Sequence, residues 1–130
     1  MKTYAVRLEP GQDLRKAIAQ YFVTERIHSG AVLSCVGSLE KAILRLSDES
    51  ILTLNGKFEI ISLTGTLSKT GHHLHLGISD REGVVYGGHL KEGCIVYTTA
   101  EIVIGALDVL AFSRTFDPKT GYKELKISKK

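Results

Sequence analysis

Only one stretch of this chain, Leu14 to Phe22, brings its apolar residues round at helical spacing, and that restricts the fold more than any other feature. Leu14, Ala17, Ile18, Tyr21 and Phe22 fall on one face, after Pro10, Gly11 and Asp13 and before His28, Ser29 and Gly30. Elsewhere apolar residues alternate with polar ones or run in short β-branched blocks, which are strand patterns. Thr3 to Glu9 alternates Tyr4, Val6 and Leu8 with Ala5 and Arg7. Ala31 to Val36 and Ala42 to Leu46 read as two further strands, parted by Gly37-Ser38 and the Leu39-Glu40-Lys41 connection. Asn55-Gly56 lies between Ile51-Leu52-Thr53-Leu54 and Phe58 to Leu67 and predicts a tight hairpin, because both residues tolerate positive φ. Gly71 to Ser79 and Val84 to Leu90 flank Asp80-Arg81-Glu82-Gly83, a second predicted hairpin closed by a left-handed Gly83. Cys94 to Ala106 and Asp108 to Phe116 add β-branched strands, with room for a short helical turn. After the Asp117 to Gly121 turn, Tyr122 to Ile127 is a last edge strand.

One helix near the start and about seven strands joined by short loops predict an α+β fold with a mostly antiparallel sheet. At 130 residues with 43% hydrophobic content the chain is the size of a single domain, residues 1–130, with one core. No apolar run approaches the roughly 20 residues that span a bilayer, and Met1 opens onto a strand pattern, so the expected location is the cytoplasm with no membrane partner. Cys35 and Cys94 sit in apolar runs and are expected as buried, reduced thiols. The net charge of +3 and the clustering of Lys123, Lys126, Lys129 and Lys130 are too weak to imply nucleic acid on their own. A solvated tail explains them.

The chemistry is concentrated in the histidines. Three of the five lie in Gly71-His72-His73-Leu74-His75-Leu76 and a fourth in Gly87-Gly88-His89-Leu90. Residues two apart on a strand share a face, at roughly 7 Å between Cα atoms, so His73 and His75 converge while His72 points away. If Arg81-Glu82-Gly83 is a three-residue loop, Asp80 pairs with Val84 and His75 falls opposite His89. A four-residue loop would put Leu74 there instead, unless a bulge at Gly87-Gly88 restored the register; that pair fits either a bulge, the favoured reading, or close approach of a ligand or another backbone. Three neutral imidazoles with an open fourth position suit Zn²⁺ or another divalent transition metal. His73 and His75 alone fit surface or hydrogen-bonded histidines on an ordinary hairpin better. His89 at the matched position tips the balance to a metal site.

Glu101 and Glu59 are carboxylates inside otherwise apolar strand segments, where a charge must be paired or exposed. Each is a candidate for supporting the histidines or moving a proton, and equally for an outward strand position; Arg45 or Arg114 are candidate ion-pair partners of Glu101. No Ser/His/Asp arrangement, cysteine with an adjacent base or phosphate-cradling loop is present to support nucleophilic catalysis.

The segments Gly56-Lys57-Phe58-Glu59-Ile60 through Ser62-Leu63-Thr64-Gly65, His73-Leu74-His75, Gly87-Gly88-His89-Leu90 and Thr99-Ala100-Glu101 resemble the PPC (plants and prokaryotes conserved) family. So does Gly37-Ser38-Leu39-Glu40-Lys41-Ala42, and the likeness spans nearly the whole chain. The resemblance implies an antiparallel sheet flanked by a few helices and assembly as a homotrimer. Plant members join the domain to an AT-hook, which is how a DNA-binding, transcription-related role attaches to the family; this chain carries no hook. Prokaryotic members with the three histidines resemble zinc sites, and the fold is similar to that of acetolactate decarboxylase, whose metal is also held by three histidines. By that likeness His73, His75 and His89 are metal ligands. Two functions follow as expectations: a zinc-binding homotrimeric interaction module with DNA as a partner, or a zinc-dependent enzyme acting on a small carbonyl or anionic substrate bound at the metal.

Overall fold

A computed structural model describes residues 1–130. The elements in chain order are β1 (Lys2–Leu8), α1 (Leu14–Thr24), β2 (Ser29–Arg45), β3 (Ile51–Ser68), β4 (Gly71–Ser79), β5 (Val85–Leu90), β6 (Ile95–Ala106), β7 (Leu110–Asp117) and β8 (Tyr122–Lys129). The fold is α+β, with a six-stranded sheet in the order β1-β6-β2-β3-β4-β5 and a separate β7-β8 hairpin. All pairings are antiparallel. No helix is long and apolar enough to cross a membrane.

The helix forms where the spacing places it. Asp13 caps it by accepting from Lys16 N at 3.0 Å through one carboxylate oxygen, and its other oxygen accepts from Gly93 N at 2.7 Å. Leu14, Ile18 and Phe22 face inward and are buried with Leu39, Leu44, Leu67, Leu74, Leu76 and Ile104 in one apolar cluster. This is the only helix, fewer than the family resemblance implied. Cys35 and Cys94 are free and buried as expected, and burial pushes the Cys35 thiol up to about 12.

Two sequence expectations fail here, for one reason. Ala31 to Val36 and Ala42 to Leu46 are not separate strands but parts of β2, which runs unbroken for 17 residues. Asn55-Gly56 is likewise no turn; it lies within the 18-residue β3. The reversal comes earlier, where Leu46 N donates to Ser50 O and Glu49 adopts a positive φ of 69°. Ile51 to Leu54 is then already paired with Arg45 to Ala42, and the Asn-Gly pair falls where β2 slips register between Leu39 and Lys41. Such irregularities bend a long ladder instead of ending it. The bent C-terminal end of β2 reaches β5, placing Leu44 opposite Leu90 and Arg45 opposite His89. Strands β2, β3, β4 and β5 thus close on one another, and the rim of that closure carries the histidines.

Candidate metal centre

Inward Leu74 and Leu76 alternate with outward His73 and His75 on β4, so burial of the leucines fixes which way the two imidazoles point. Gly83, at φ 80°, closes the loop to β5, with Asp80 N donating to Val84 O and Gly83 N donating to Asp80 O, both at 3.0 Å. That three-residue loop sets the register with His75 opposite His89, as the spacing predicted. His72 turns to the other face and meets Phe22 edge-on at 5.0 Å between ring centroids.

The expected bulge at Gly87-Gly88 is absent: Gly77 pairs with Gly87 and Leu76 with Gly88 without a slip. Close approach explains the glycine instead. A Cβ on Gly88 would stand 2.8 Å from the Arg45 carbonyl oxygen, where β2 folds over β5. A Cβ on Gly65 would stand 1.9 Å from the His73 carbonyl oxygen, so that glycine lets β3 lie close against the strand bearing the ligands.

One ring nitrogen each from His73, His75 and His89 lies within 4.8 Å of the others, and Nε2 of His73 is 3.1 Å from Nε2 of His75. Two nitrogens bound tetrahedrally to zinc at ~2.05 Å are themselves about 3.3 Å apart. The first pair has that spacing already, and His89 has at most about 1.5 Å to close by side-chain rotation. Protonation competes little with ligation at His73 and His89 near neutral pH. Burial first, and the Arg45 guanidinium second, hold His89 down to about 4, while burial and neighbouring His75 and Arg114 lower His73. Neutral imidazoles at pH 7 have no proton for a metal to displace.

These shifts carry a stability consequence for the metal-free protein. An unfolded His89 titrates near 6.5 and the folded one at about 4, so between those values only the unfolded chain takes up the proton. Stability from this group is full above pH 6.5 and is lost as pH falls toward 4. The urea midpoint of metal-free protein is therefore expected to fall across that window, less steeply in His89→Gln; a midpoint that does not move with pH would count against it.

Glu59 and Glu101 do not join the histidines. Both are exposed on the outer face of the sheet, and Glu101 accepts from Thr99 Oγ1 at 3.4 Å beside its ladder partners Arg7 and Val36. Neither Arg45 nor Arg114 pairs with Glu101; both stand at the histidines, as do Glu49, Tyr122 and Glu124. Arg45 Nη2 lies 3.5 Å from His89 Nδ1, and Arg114 Nη2 donates to Thr66 Oγ1 at 2.6 Å, on the ladder partner of His73. The Tyr122 hydroxyl donates to Glu49, tying the hairpin tip to the β2–β3 turn. The sequence gives no local signal for this set, which only the closure of β2 on β5 and the folding-back of β7-β8 assemble.

The family model of the Plants and Prokaryotes Conserved (PCC) domain matches residues 1–108. A hypothetical protein from Salmonella enterica has the same fold at a TM-score of 0.95 and 44% identity, over 98% of this chain and 94% of that one. A metal-containing protein from Archaeoglobus fulgidus matches at a TM-score of 0.76 and 26% identity, over 95% and 92%. Among curated proteins, the bifunctional protein GlmU of a Synechococcus strain is 45% identical over 130 residues, 99% of this chain but 21% of that protein. An Arabidopsis thaliana AT-hook motif nuclear-localized protein is 21% identical over 113 residues, 79% of this chain and 29% of that protein. The chain thus spans between a fifth and a third of the length of these curated relatives.

Proposed function

Because the chain belongs to the Plants and Prokaryotes Conserved domain family, we propose that it is a self-associating, metal-binding module whose ion is held by His73, His75 and His89. The observation that carries this reading is the convergence of the three imidazoles within 4.8 Å on one outward face, all from a rigid pair of strands. Zinc fits three neutral nitrogen donors, and the metal-containing Archaeoglobus relative supports a metal in this fold. When bound, the ion would supply Lewis acidity beside the cavity that His73 and His89 line. The chain's own residues give the site its direction: Leu74 and Leu76 anchor the strand, and Arg45 and Arg114 surround the ring nitrogens with positive charge.

Self-association, for which the family resemblance implies a homotrimer, is supported by large apolar side chains left exposed on three adjacent strands, Tyr97 of β6, Leu33 and Val36 of β2, and Ile61 of β3. The module reading is supported by GlmU, in which a stretch like this one makes up a fifth of a longer protein. DNA is the partner suggested by the names of structural relatives from Bacteroides thetaiotaomicron and Ralstonia eutropha, which describe them as DNA-binding proteins. The whole of residues 1–130, hairpin included, works as one domain in this reading. A zinc-dependent enzyme is the second reading, favoured by the cavity beside the histidines, where Glu49 and Glu124 stand in place of Glu59 and Glu101 to move a proton.

Titrating metal-free protein with Co²⁺ and following visible absorption tests the metal part. Absorption saturating at one equivalent per chain, with an intensity typical of four-coordinate cobalt, is expected. A spectrum no different from cobalt in buffer would overturn it.

A further inference from the structure

We propose that the cavity between the histidines and the β7-β8 hairpin binds a small organic acid, whose carboxylate is held by Arg45 and Arg114 beside the metal. The proposal rests on the metal reading above and adds the class of ligand. The cavity has a volume of about 450 Å³ and is lined by Arg45, His73, His89, Arg114, Tyr122 and Glu124, among others. That is the scale of a small-molecule site.

Both guanidinium groups lack an acidic partner. The ion pairs of the chain are Arg7–Glu9, Lys16–Glu92 and Arg81–Glu82, all on the surface. Arg114 is half-buried, gives one hydrogen bond to Thr66, and has its Nε buried without a partner. Arg45, also half-buried, has only the long contact to His89. A buried donor such as Arg114 Nε is costly unless something accepts from it, and a carboxylate matches the planar fork of either arginine. Around the cavity Arg45, Arg114 and Lys123 face the carboxylates of Glu124 and, at its edge beside Tyr122, Glu49, an excess of one positive charge. Such a balance suits a monoanion. Arg114 and Tyr122 come from the β7-β8 hairpin, beyond the residues 1–108 that the family model matches.

The contact between Arg45 and His89 makes the two sites interdependent. Arginine has donors only, so it can approach an imidazole nitrogen that carries a lone pair, and not one that carries hydrogen. A neutral His89 bound to metal through one nitrogen bears hydrogen on the other. Whichever nitrogen binds, Arg45 must leave Nδ1 when the metal enters. Its donors then become free within the cavity, beside a second positive charge. The acid should therefore bind to metal-loaded protein and far less well to metal-free protein.

Calorimetric titration with glycolate, and separately with inorganic phosphate, tests this on zinc-loaded and metal-free parent, Arg45→Gln, Arg114→Gln and Arg45→Lys, with zinc content measured on every sample. Glycolate is expected to bind the loaded parent and to bind each glutamine variant roughly 10-fold or more weakly at undiminished zinc, the loss of a charge-assisted hydrogen bond. Arg45→Lys, which keeps the charge without the fork, should fall between, which separates recognition from misfolding. Zinc at one equivalent with no glycolate binding, with binding that no substitution weakens, or with phosphate preferred would overturn the carboxylate site and leave the metal reading standing. A parent that holds no zinc would overturn both.

Discussion

The double variant His73→Ala, His89→Ala is expected to lose zinc affinity by more than roughly 100-fold, because disturbing an outer-shell partner alone costs about 10–100-fold and here two of three ligands go. Its folding should hardly change. His73 is exposed and His89 half-buried, neither belongs to the apolar core, and removing them leaves Leu74 and Leu90 in place. Stability of the metal-free form should stay within about 0.5 kcal/mol of the parent, as for other surface positions. The contrast appears on adding metal: zinc at 100 times its dissociation constant should stabilise the parent by about 2.7 kcal/mol and the variant not at all. Urea unfolding with and without zinc measures both. Equal stabilisation of parent and variant would place the metal elsewhere.

Gly65→Ala should show the opposite, a structural defect that reaches the site without touching a ligand. Its new Cβ would lie 1.9 Å from the His73 carbonyl oxygen and 2.8 Å from the carbonyl carbon, both main-chain atoms that cannot turn aside. Strands β3 and β4 must separate there, at a cost of about 1–3 kcal/mol for overpacking. The shift falls on the strand residue whose side chain begins the metal site, so zinc affinity should drop as well. Gly77→Ala is the control, on the neighbouring strand β4 that bears His73, since its Cβ would meet Ile61 and Ser62 at an ordinary 3.5 Å. Urea midpoints and zinc titrations of both variants check this; a Gly65→Ala protein as stable and as tight as the parent would contradict the packing described here.

How much of this was legible beforehand depended on whether the determining contacts were local. The helix was, because Asp13, Leu14, Ile18 and Phe22 carry its cap and its buried face within one short segment. The pairing of His75 with His89 was too, since Gly83 and the loop length fix it within 15 residues of chain. The long strands were not. Gly37-Ser38 and Asn55-Gly56 look like chain reversals, yet a Cβ on Gly37 would lie 2.1 Å from the Thr99 carbonyl oxygen, so that glycine admits a neighbouring strand instead of turning the chain. A sequence does not show which of those two uses a glycine has. Glu59 and Glu101 drew attention as charges among apolar residues, but strand alternation simply turns them outward. Arg45 and Arg114 reach the histidines through contacts spanning 44 and 48 residues of sequence, which no local pattern announces.

The most direct test is the metal content per chain of protein purified without added metal and without a His-tag, read by elemental mass spectrometry beside the His73→Ala, His89→Ala variant. Close to one divalent transition metal per chain in the parent and none in the variant is expected. A parent free of metal that takes up none when zinc is supplied would leave the three histidines as surface side chains and contradict the metal centre.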